Sequence, residues 1–275
     1  MGQGSGSQSA KEGDSFMAFD RIRGWRTIGF NQGEEIPDVL RGWHLSTREV
    51  NKHPSINGVC YSLSMDWMKR KLSQNEQGTE RVDNLDVGRA INRQGLYGNV
   101  LKNGSGDQYQ PAEGALGLKM VEIKTLGAPL WSGTAWMNDQ IAANFRGGAG
   151  KAFLMGYYFQ RYDTGTSSWV DGGGGHAIAW YLSHGTLHMG SIFGGRHVYL
   201  FDPNCGEFRL RESELSSFLG LYFEDVKDAF APHLFPYTYF LRVYEGTKSS
   251  KQKVEKNVVS ALQRQLQDKQ RRGGV

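Results

Sequence analysis

The sequence predicts an α+β fold, in which a helical part packs on an antiparallel β-sheet. The first observation is an amphipathic pattern with helical spacing, which begins at Cys60 and continues through Leu63 and Trp67. The second is a pair of apolar segments with a period of two, residues 176–183 and 197–202, joined by a Gly-rich connection. Together these patterns predict a helix that carries Cys60 and a sheet that contains both strands.

The chain divides by composition into three parts. Residues 1–15 are rich in Gly, Ser and Gln, which predicts a disordered N-terminus. Residues 16–245 have the hydrophobic and aromatic content of one folded domain, in which residues 16–50 form short, irregular elements that wrap the body. Residues 246–275 form a basic C-terminal helix or tail with a narrow apolar stripe.

The remaining elements of the domain follow from spacing and from turn residues. Helices are predicted over residues 60–73, 85–93, 134–145 and 213–223. Strands are predicted over residues 119–124, 152–159, 176–183, 197–202, 208–210 and 237–244. Loops are expected over residues 95–113 and over the Gly-rich segment 163–175.

The hairpin brings a histidine close to an aspartate. If its turn lies near Met189 and Gly190, Asp202 falls opposite His176 or one position away. Cross-strand neighbours lie roughly 4.5 to 5.5 Å apart, which is close enough for a carboxylate to orient an imidazole.

Cys60 is the candidate nucleophile for this histidine. The thiolate is the reactive form of cysteine, and the N-terminus of a helix supplies partial positive charge that favours it. His176 would act as the base, and Asp202 would hold the imidazole in the required tautomer. Each of these residue types taken alone is more often structural, so the hypothesis depends on their combination.

Three segments also resemble a known family. GVCYSLSMDWM, GGHAIAWY and LFDPNCGEF are similar to the motif blocks of the YopT/AvrPphB family of bacterial effector cysteine peptidases, which have a papain-like fold. The resemblance covers roughly residues 55–245 and implies that Cys60, His176 and Asp202 form the catalytic triad. It gives no support to the N-terminal 50 residues or to the basic tail.

The resemblance leaves the oxyanion hole incomplete. Papain-like enzymes usually place a Gln or Asn side chain five or six residues before the cysteine, where this chain has Ser55 and Pro54. Asn57 is the nearest amide, so the candidate donors are the Asn57 side chain and the backbone N–H of Cys60.

The family implies a secreted bacterial effector or toxin that cleaves specific proteins in the cytoplasm of a target cell. Delivery would use a specialised secretion system without a cleaved signal peptide, and a cognate immunity protein or a secretion chaperone would be a further partner. Two alternatives stay open: a glutamine deamidase or transglutaminase that uses the same Cys-His-Asp chemistry, and a catalytically idle binding domain.

Charge and composition exclude other classes. Residues 246–275 carry a net charge of +6 and the remaining 245 residues carry −2, so the body lacks the basic patch of a nucleic-acid-binding domain. The tail suits either loose docking on the body or contact with an anionic membrane surface or a partner. The absence of a long apolar run and of a secretory signal predicts a soluble protein, and no cofactor or metal is expected.

Overall fold

The computed structural model describes residues 19–74, 79–102, 118–127, 151–183, 196–230 and 234–246. Within these ranges the α-helices are α1 (Gln32–Gly42), α2 (Thr47–Lys52), α3 (Cys60–Lys69), α4 (Glu80–Asp83), α5 (Val87–Lys102) and α6 (Leu215–Phe230). The strands are β1 (Arg26–Ile28), β2 (Leu118–Gly127), β3 (Ala152–Asp163), β4 (Ser168–Leu182), β5 (His197–Asp202), β6 (Gly206–Arg211) and β7 (Leu234–Gly246). This mixture of helices with an antiparallel sheet confirms the α+β class.

The seven described strands form one sheet in the order β1-β6-β5-β4-β3-β7-β2. Each neighbouring pair is antiparallel, and β4 lies at the centre of the order between β5 and β3. The central position of β4 matters for function because its residue His176 has neighbouring elements on both faces of the sheet.

Side chains of β3 and β4 alternate between two cores, as a period of two requires. On one face, α6 covers a core that includes Phe153, Met155, Ile178, Trp180, Phe218 and Tyr222. On the other face, α1, α3 and α5 cover a core that includes Leu40, Leu63, Trp67, Ile91, Leu154, Ala177, Ala179 and Phe201. The sheet is therefore a middle layer between α6 and the helix that begins at Cys60.

The prediction of only short, irregular elements in residues 16–50 is wrong, because α1 is a regular helix of 11 residues. Its N-cap is Asn31, whose side chain accepts a hydrogen bond from the backbone N–H of Gly33. Ile36 and Leu40 lie one turn apart and are buried, so packing outweighs the poor helix propensity of Gly33 and Pro37.

Glycine misled the predictions at two further places. Helix α5 continues through Gly95 to Lys102, where a loop was expected, because an exposed glycine lowers helix stability without ending the helix. Strand β4 begins at Ser168, so most of the predicted loop over 163–175 is strand that pairs with β3. The other predicted helices and strands that fall within the described ranges are present, with bounds that differ by a few residues.

The segments 1–15, 134–145 and 247–275 lie outside the described residues. The disordered N-terminus, the helix over 134–145 and the basic tail therefore stay predictions.

Candidate active site

Cys60 is the first residue of helix α3, as the sequence predicts, and its side chain is partly exposed. The residues Tyr61 to Met68 that follow it are all buried, which fixes the helix firmly in the body. The Leu63 N–H donates to the Val59 carbonyl at 3.0 Å, so the N–H of Cys60 precedes the first intrahelical hydrogen bond. A thiol at this end of the helix lies in the positive field of the helix N-terminus.

A serine on α3 fixes the distance between this helix and β4. The Ser64 hydroxyl donates a 3.0 Å hydrogen bond to the carbonyl oxygen of Ala177, and both groups are buried. Ser64 lies four residues after Cys60 and therefore on the same side of the helix. Because Ala177 follows His176 directly, this bond brings Cys60 to the histidine, and the thiol lies close enough to the imidazole to help raise its pKa.

His176 and Asp202 are joined by a hydrogen bond of 2.8 Å between Nε2 and Oδ1. Nδ1 is therefore the imidazole nitrogen that remains for Cys60. The predicted register is wrong by one position: Ala179 pairs with Phe201, which extrapolates to Asp202 opposite Ile178, two positions from His176. The side chains still meet, because a diagonal neighbour on the same face is within reach of an imidazole.

Asp202 is completely buried and accepts several hydrogen bonds. Its Oδ1 accepts from the backbone N–H of Asn204 at 2.8 Å, and its Oδ2 accepts from the Tyr222 hydroxyl at 2.7 Å. The buried thiol of Cys205 also lies beside the carboxylate. These donors replace the water that a carboxylate loses on burial, so it can remain ionised.

The pKa shifts follow from this geometry. Burial alone would lower the pKa of His176, but the charge and hydrogen bond of Asp202, together with Cys60, raise it to about 10. Burial alone would raise the pKa of Asp202, but His176, the Asn204 N–H and the Tyr222 hydroxyl lower it. Burial, together with the Asp202 carboxylate, raises the pKa of the Cys205 thiol well above its ordinary value. The site therefore favours an imidazolium beside an ionised aspartate.

Glu207 ties the β5–β6 region to the helix of Cys60. Its carboxylate is fully buried, accepts a 2.8 Å hydrogen bond from Nε1 of Trp67 on α3, and forms a bidentate ion pair with Arg81 on α4. The GEF part of the third motif block thus positions α3 and α4 against the sheet, and Asp202 in the same block contacts the histidine.

The predicted oxyanion-hole residues are placed as follows. The Cys60 N–H lies at the start of α3. Asn57 is the last residue of a 3₁₀-helix over Pro54–Asn57, and its side chain is not among those that the structure describes. Gln32 of α1 lies against the same segment: its Oε1 accepts a 2.8 Å hydrogen bond from the Val59 N–H, one residue before Cys60.

Sequence reasoning missed Gln32 and Tyr222. The only sequence signal for Gln32 is the helix start around it, an Asn31 N-cap followed by Glu34 and Glu35, and this signal does not indicate a long-range contact. Tyr222 falls on the apolar side of α6 and has the pattern of an ordinary core residue.

In the described ranges, no group of three or more His, Cys, Asp or Glu side chains is arranged to hold a metal ion. None of the helices in those ranges combines the length and the apolar character that crossing a bilayer requires.

Comparisons with known proteins give two similar structures. No protein-family model matches the chain, and no curated protein matches it. The chain is similar to the crystal structure of the avirulence protein AvrPphB from Pseudomonas, with 20% identity and a TM-score of 0.45 over 69% of this chain and 93% of that one. It is also similar to a plant- and prokaryote-conserved (PPC) protein from Pyrococcus horikoshii, with 11% identity and a TM-score of 0.15 over 46% of this chain and 80% of that one. At these scores neither likeness supports a functional conclusion, which has to rest on the site itself.

Proposed function

We propose that this protein is a cysteine peptidase with Cys60 as nucleophile, His176 as acid and base, and Asp202 as the residue that orients His176. The observation that carries the proposal is a partly exposed thiol beside a buried imidazole whose pKa it helps to raise, together with a 2.8 Å hydrogen bond from that imidazole to a fully buried carboxylate. A nucleophile, a base within hydrogen-bond reach and a third group that orients the base are the parts that covalent catalysis requires.

The reaction would begin from the thiolate–imidazolium pair. The Cys60 thiolate attacks the carbonyl carbon of the substrate and forms a C–S bond, while the carbonyl electrons move onto the oxygen. Collapse of this intermediate expels the amine, which takes its proton from His176, and leaves a thioester on Cys60. Neutral His176 then removes a proton from water, whose oxygen attacks the thioester, breaks the C–S bond and releases the carboxylic acid.

The developing oxyanion needs hydrogen-bond donors. The backbone N–H of Cys60 is one candidate, because it belongs to the first turn of α3. The Asn57 side chain is the second candidate that the sequence offers. Losing one such donor typically costs a factor of about 10²–10³ in rate.

The biological setting of the proposal comes from the motif resemblance. The three segments around Cys60, His176 and Asp202 support a papain-like bacterial effector or toxin that is secreted by a specialised system and cleaves specific proteins in the cytoplasm of a target cell. Its partners would be the protein substrate and a cognate immunity protein or secretion chaperone. Peripheral membrane contact would involve the basic tail, through attraction to anionic lipids.

The test is to map new protein N-termini in target cells that express the wild type, Cys60→Ala or the surface control Lys52→Ala. We expect the same new N-termini with the wild type and with Lys52→Ala, and none with Cys60→Ala. New N-termini that persist in the Cys60→Ala cells would contradict a cysteine peptidase.

The alternatives give different products. Conversion of a glutamine side chain to glutamate, or a crosslink, that requires Cys60 but creates no new N-terminus would identify a deamidase or transglutaminase. Target proteins that stay unmodified, together with a Cys60 thiol that does not react with iodoacetamide at neutral pH, would identify an idle binding domain.

A further inference from the structure

One buried glutamine connects the two halves of the proposed site. Gln32 is the first residue of α1 and is only 5% exposed. Its Oε1 accepts a 2.8 Å hydrogen bond from the Val59 N–H, and its Nε2 donates a 2.7 Å hydrogen bond to Oδ1 of Asn204. Its own backbone N–H donates a 2.7 Å bond to the Pro203 carbonyl. Gln32 therefore contacts the residue before Cys60 and the two residues after Asp202.

The orientation of this amide follows from its partners. Because the backbone N–H of Val59 is a donor, the atom of Gln32 that faces it has to be the oxygen. The nitrogen of Gln32 is then the donor towards Asn204, whose oxygen accepts. One side chain thus needs both its acceptor and its donor to complete the bridge.

The backbone beside Cys60 is shaped to receive this amide. Gly58 has φ +106°, a conformation that favours glycine, and a Cβ at this position would lie 3.2 Å from Nε2 of Gln32. The close approach places the Gln32 amide against the turn from which α3 begins.

We propose that Gln32 is a positioning residue for the reaction, which couples the first turn of α3 to the β5–β6 turn and so sets the distance between Cys60 and His176. This inference rests on the proposed function. Few contacts separate Gln32 from the histidine. The backbone N–H of Asn204, whose side chain Gln32 binds, donates to Oδ1 of Asp202, and the same Oδ1 binds Nε2 of His176. A displacement of about 1 Å at a reacting centre can reduce a rate about 10²-fold. A bridge that holds the two turns in place can therefore have a large effect on the reaction rate.

The test measures the rate of Cys60 alkylation by iodoacetamide as a function of pH, along with the melting temperature, in the full-length protein. Gln32→Met removes both hydrogen bonds of the side chain, Gln32→Glu keeps the acceptor for Val59 and loses the donor, and Asn204→Ala removes the other end of the bridge. We expect each variant to slow alkylation at pH 6.5 at least about tenfold and to change its pH dependence, because the thiolate–imidazolium pair depends on the Cys60–His176 contact.

Gln94→Met is the matched control. The Oε1 of Gln94 also accepts a hydrogen bond from a backbone N–H in the first turn of α3, that of Ser62 at 3.3 Å, but it does not join the turn after Asp202. This variant should lower the melting temperature about as much as a lost glutamine–backbone bond does, while the pH dependence of alkylation keeps its wild-type form. A purely structural role for Gln32 would give the same result as Gln94.

His176→Ala separates the two hypotheses. If it leaves alkylation of Cys60 unchanged, the proposed catalytic pair is wrong, whatever Gln32 does. If His176→Ala slows alkylation but the folded Gln32 variants and Asn204→Ala all retain the wild-type rate and pH dependence, the coupling role of Gln32 is overturned and the proposed function stands. Asn204→Ala keeps this comparison available even if Gln32→Met fails to fold.

Discussion

The hydroxyl of Tyr222 donates a 2.7 Å hydrogen bond to Oδ2 of Asp202, the carboxylate oxygen that does not bind His176. Tyr222 is fully buried on α6, whereas Cys60 begins α3 on the opposite face of the sheet. The Asp202 carboxylate is therefore held from one layer while the nucleophile is held from the other. The geometry of the proposed site therefore depends on how α3 and α6 are placed relative to each other.

The first prediction concerns Tyr222→Phe. The change leaves Oδ2 of Asp202 without its hydroxyl donor, and an unsatisfied buried polar group costs about 1–3 kcal/mol. Because the Tyr222 hydrogen bond helps to lower the pKa of Asp202, its stabilisation is present at neutral pH and is lost as the pH falls through the native pKa of Asp202. The measurement is the free energy of unfolding in urea at several pH values from 7 downwards.

Tyr162→Phe is the control, because Tyr162 is 43% exposed and should change the unfolding free energy by less than about 0.5 kcal/mol. A destabilisation by Tyr222→Phe that is independent of pH would show that the hydroxyl does not act through the charge of Asp202.

The second prediction concerns Asp202→Asn. Removing the carboxylate charge removes the main influence that raises the pKa of His176 to about 10, so the pKa should fall well below that value. A raised histidine pKa contributes stability that is fully present below the ordinary value and is lost as the pH rises through about 10. The variant should therefore lose stability at pH 7 and show a smaller further loss between pH 7 and 10.

The measurement for Asp202→Asn is the titration of the assigned imidazole protons by NMR, together with unfolding at each pH. His197 is an internal control in the same spectra: partial burial and the nearby Arg209 and Arg211 lower its pKa, so its titration should not respond to Asp202. A His176 that titrates near its ordinary pKa in the wild type would contradict the ion pair with Asp202.

The sequence alone predicted the local parts of the site. Helical spacing after Cys60 predicted the start of α3, and the period of two in residues 176–183 and 197–202 predicted two neighbouring strands. These patterns succeed because each depends on the residues of a single element and not on its partners. The register failed by one position, since it depends on the unknown geometry of the connection rather than on either strand.

The long-range parts could not be predicted. Gln32 and Asn204 are 172 residues apart, and Arg81 and Glu207 are 126 apart. A polar residue that satisfies a distant buried group has no periodicity of its own, so nothing in its neighbourhood distinguishes it from a surface residue. The glycines led to a different error. Gly95 and the glycines of β4 predicted loops, but these residues lie in a regular helix and a regular strand.

The third prediction concerns the buried pair of Glu207 and Arg81. Glu207→Gln removes the charge that faces the Arg81 guanidinium, whose side chain is 4% exposed. Breaking a buried ion pair from one side costs about 3–5 kcal/mol, because a buried charge then loses its compensation. The unfolding free energy at neutral pH should fall by that amount.

The surface pair of Asp38 and Arg41 provides the control, since both side chains are more than half exposed. Asp38→Asn should change the unfolding free energy by less than about 1 kcal/mol. If Glu207→Gln were as mild as Asp38→Asn, the third motif block would not derive its structural role from this charge.

The fourth prediction concerns Gly206, which follows the turn that carries Asp202. Gly206 has φ +108°, and a Cβ at this position would lie 2.1 Å from the carbonyl oxygen of Ile28. Backbone strain of this kind costs about 1–3 kcal/mol for a residue with a side chain. The contact adds to this cost because the atoms that the Cβ would meet belong to the backbone and cannot rotate away. Gly206→Ala should therefore separate β1 from β6 or distort the turn, and lower the melting temperature sharply.

The matched control is Gly220→Ala in α6, because a Cβ on Gly220 meets no atom within 4 Å and the residue is exposed. In a helix interior this change should stabilise the protein by about 0.5–1 kcal/mol. The two alanine variants should thus shift the melting temperature in opposite directions.

Because Asp202 pairs with Gly206 across β5 and β6, Gly206→Ala should also slow iodoacetamide labelling of Cys60 in the fraction that remains folded. Wild-type labelling in a folded Gly206→Ala protein would show that the turn tolerates this displacement without moving Asp202 away from His176.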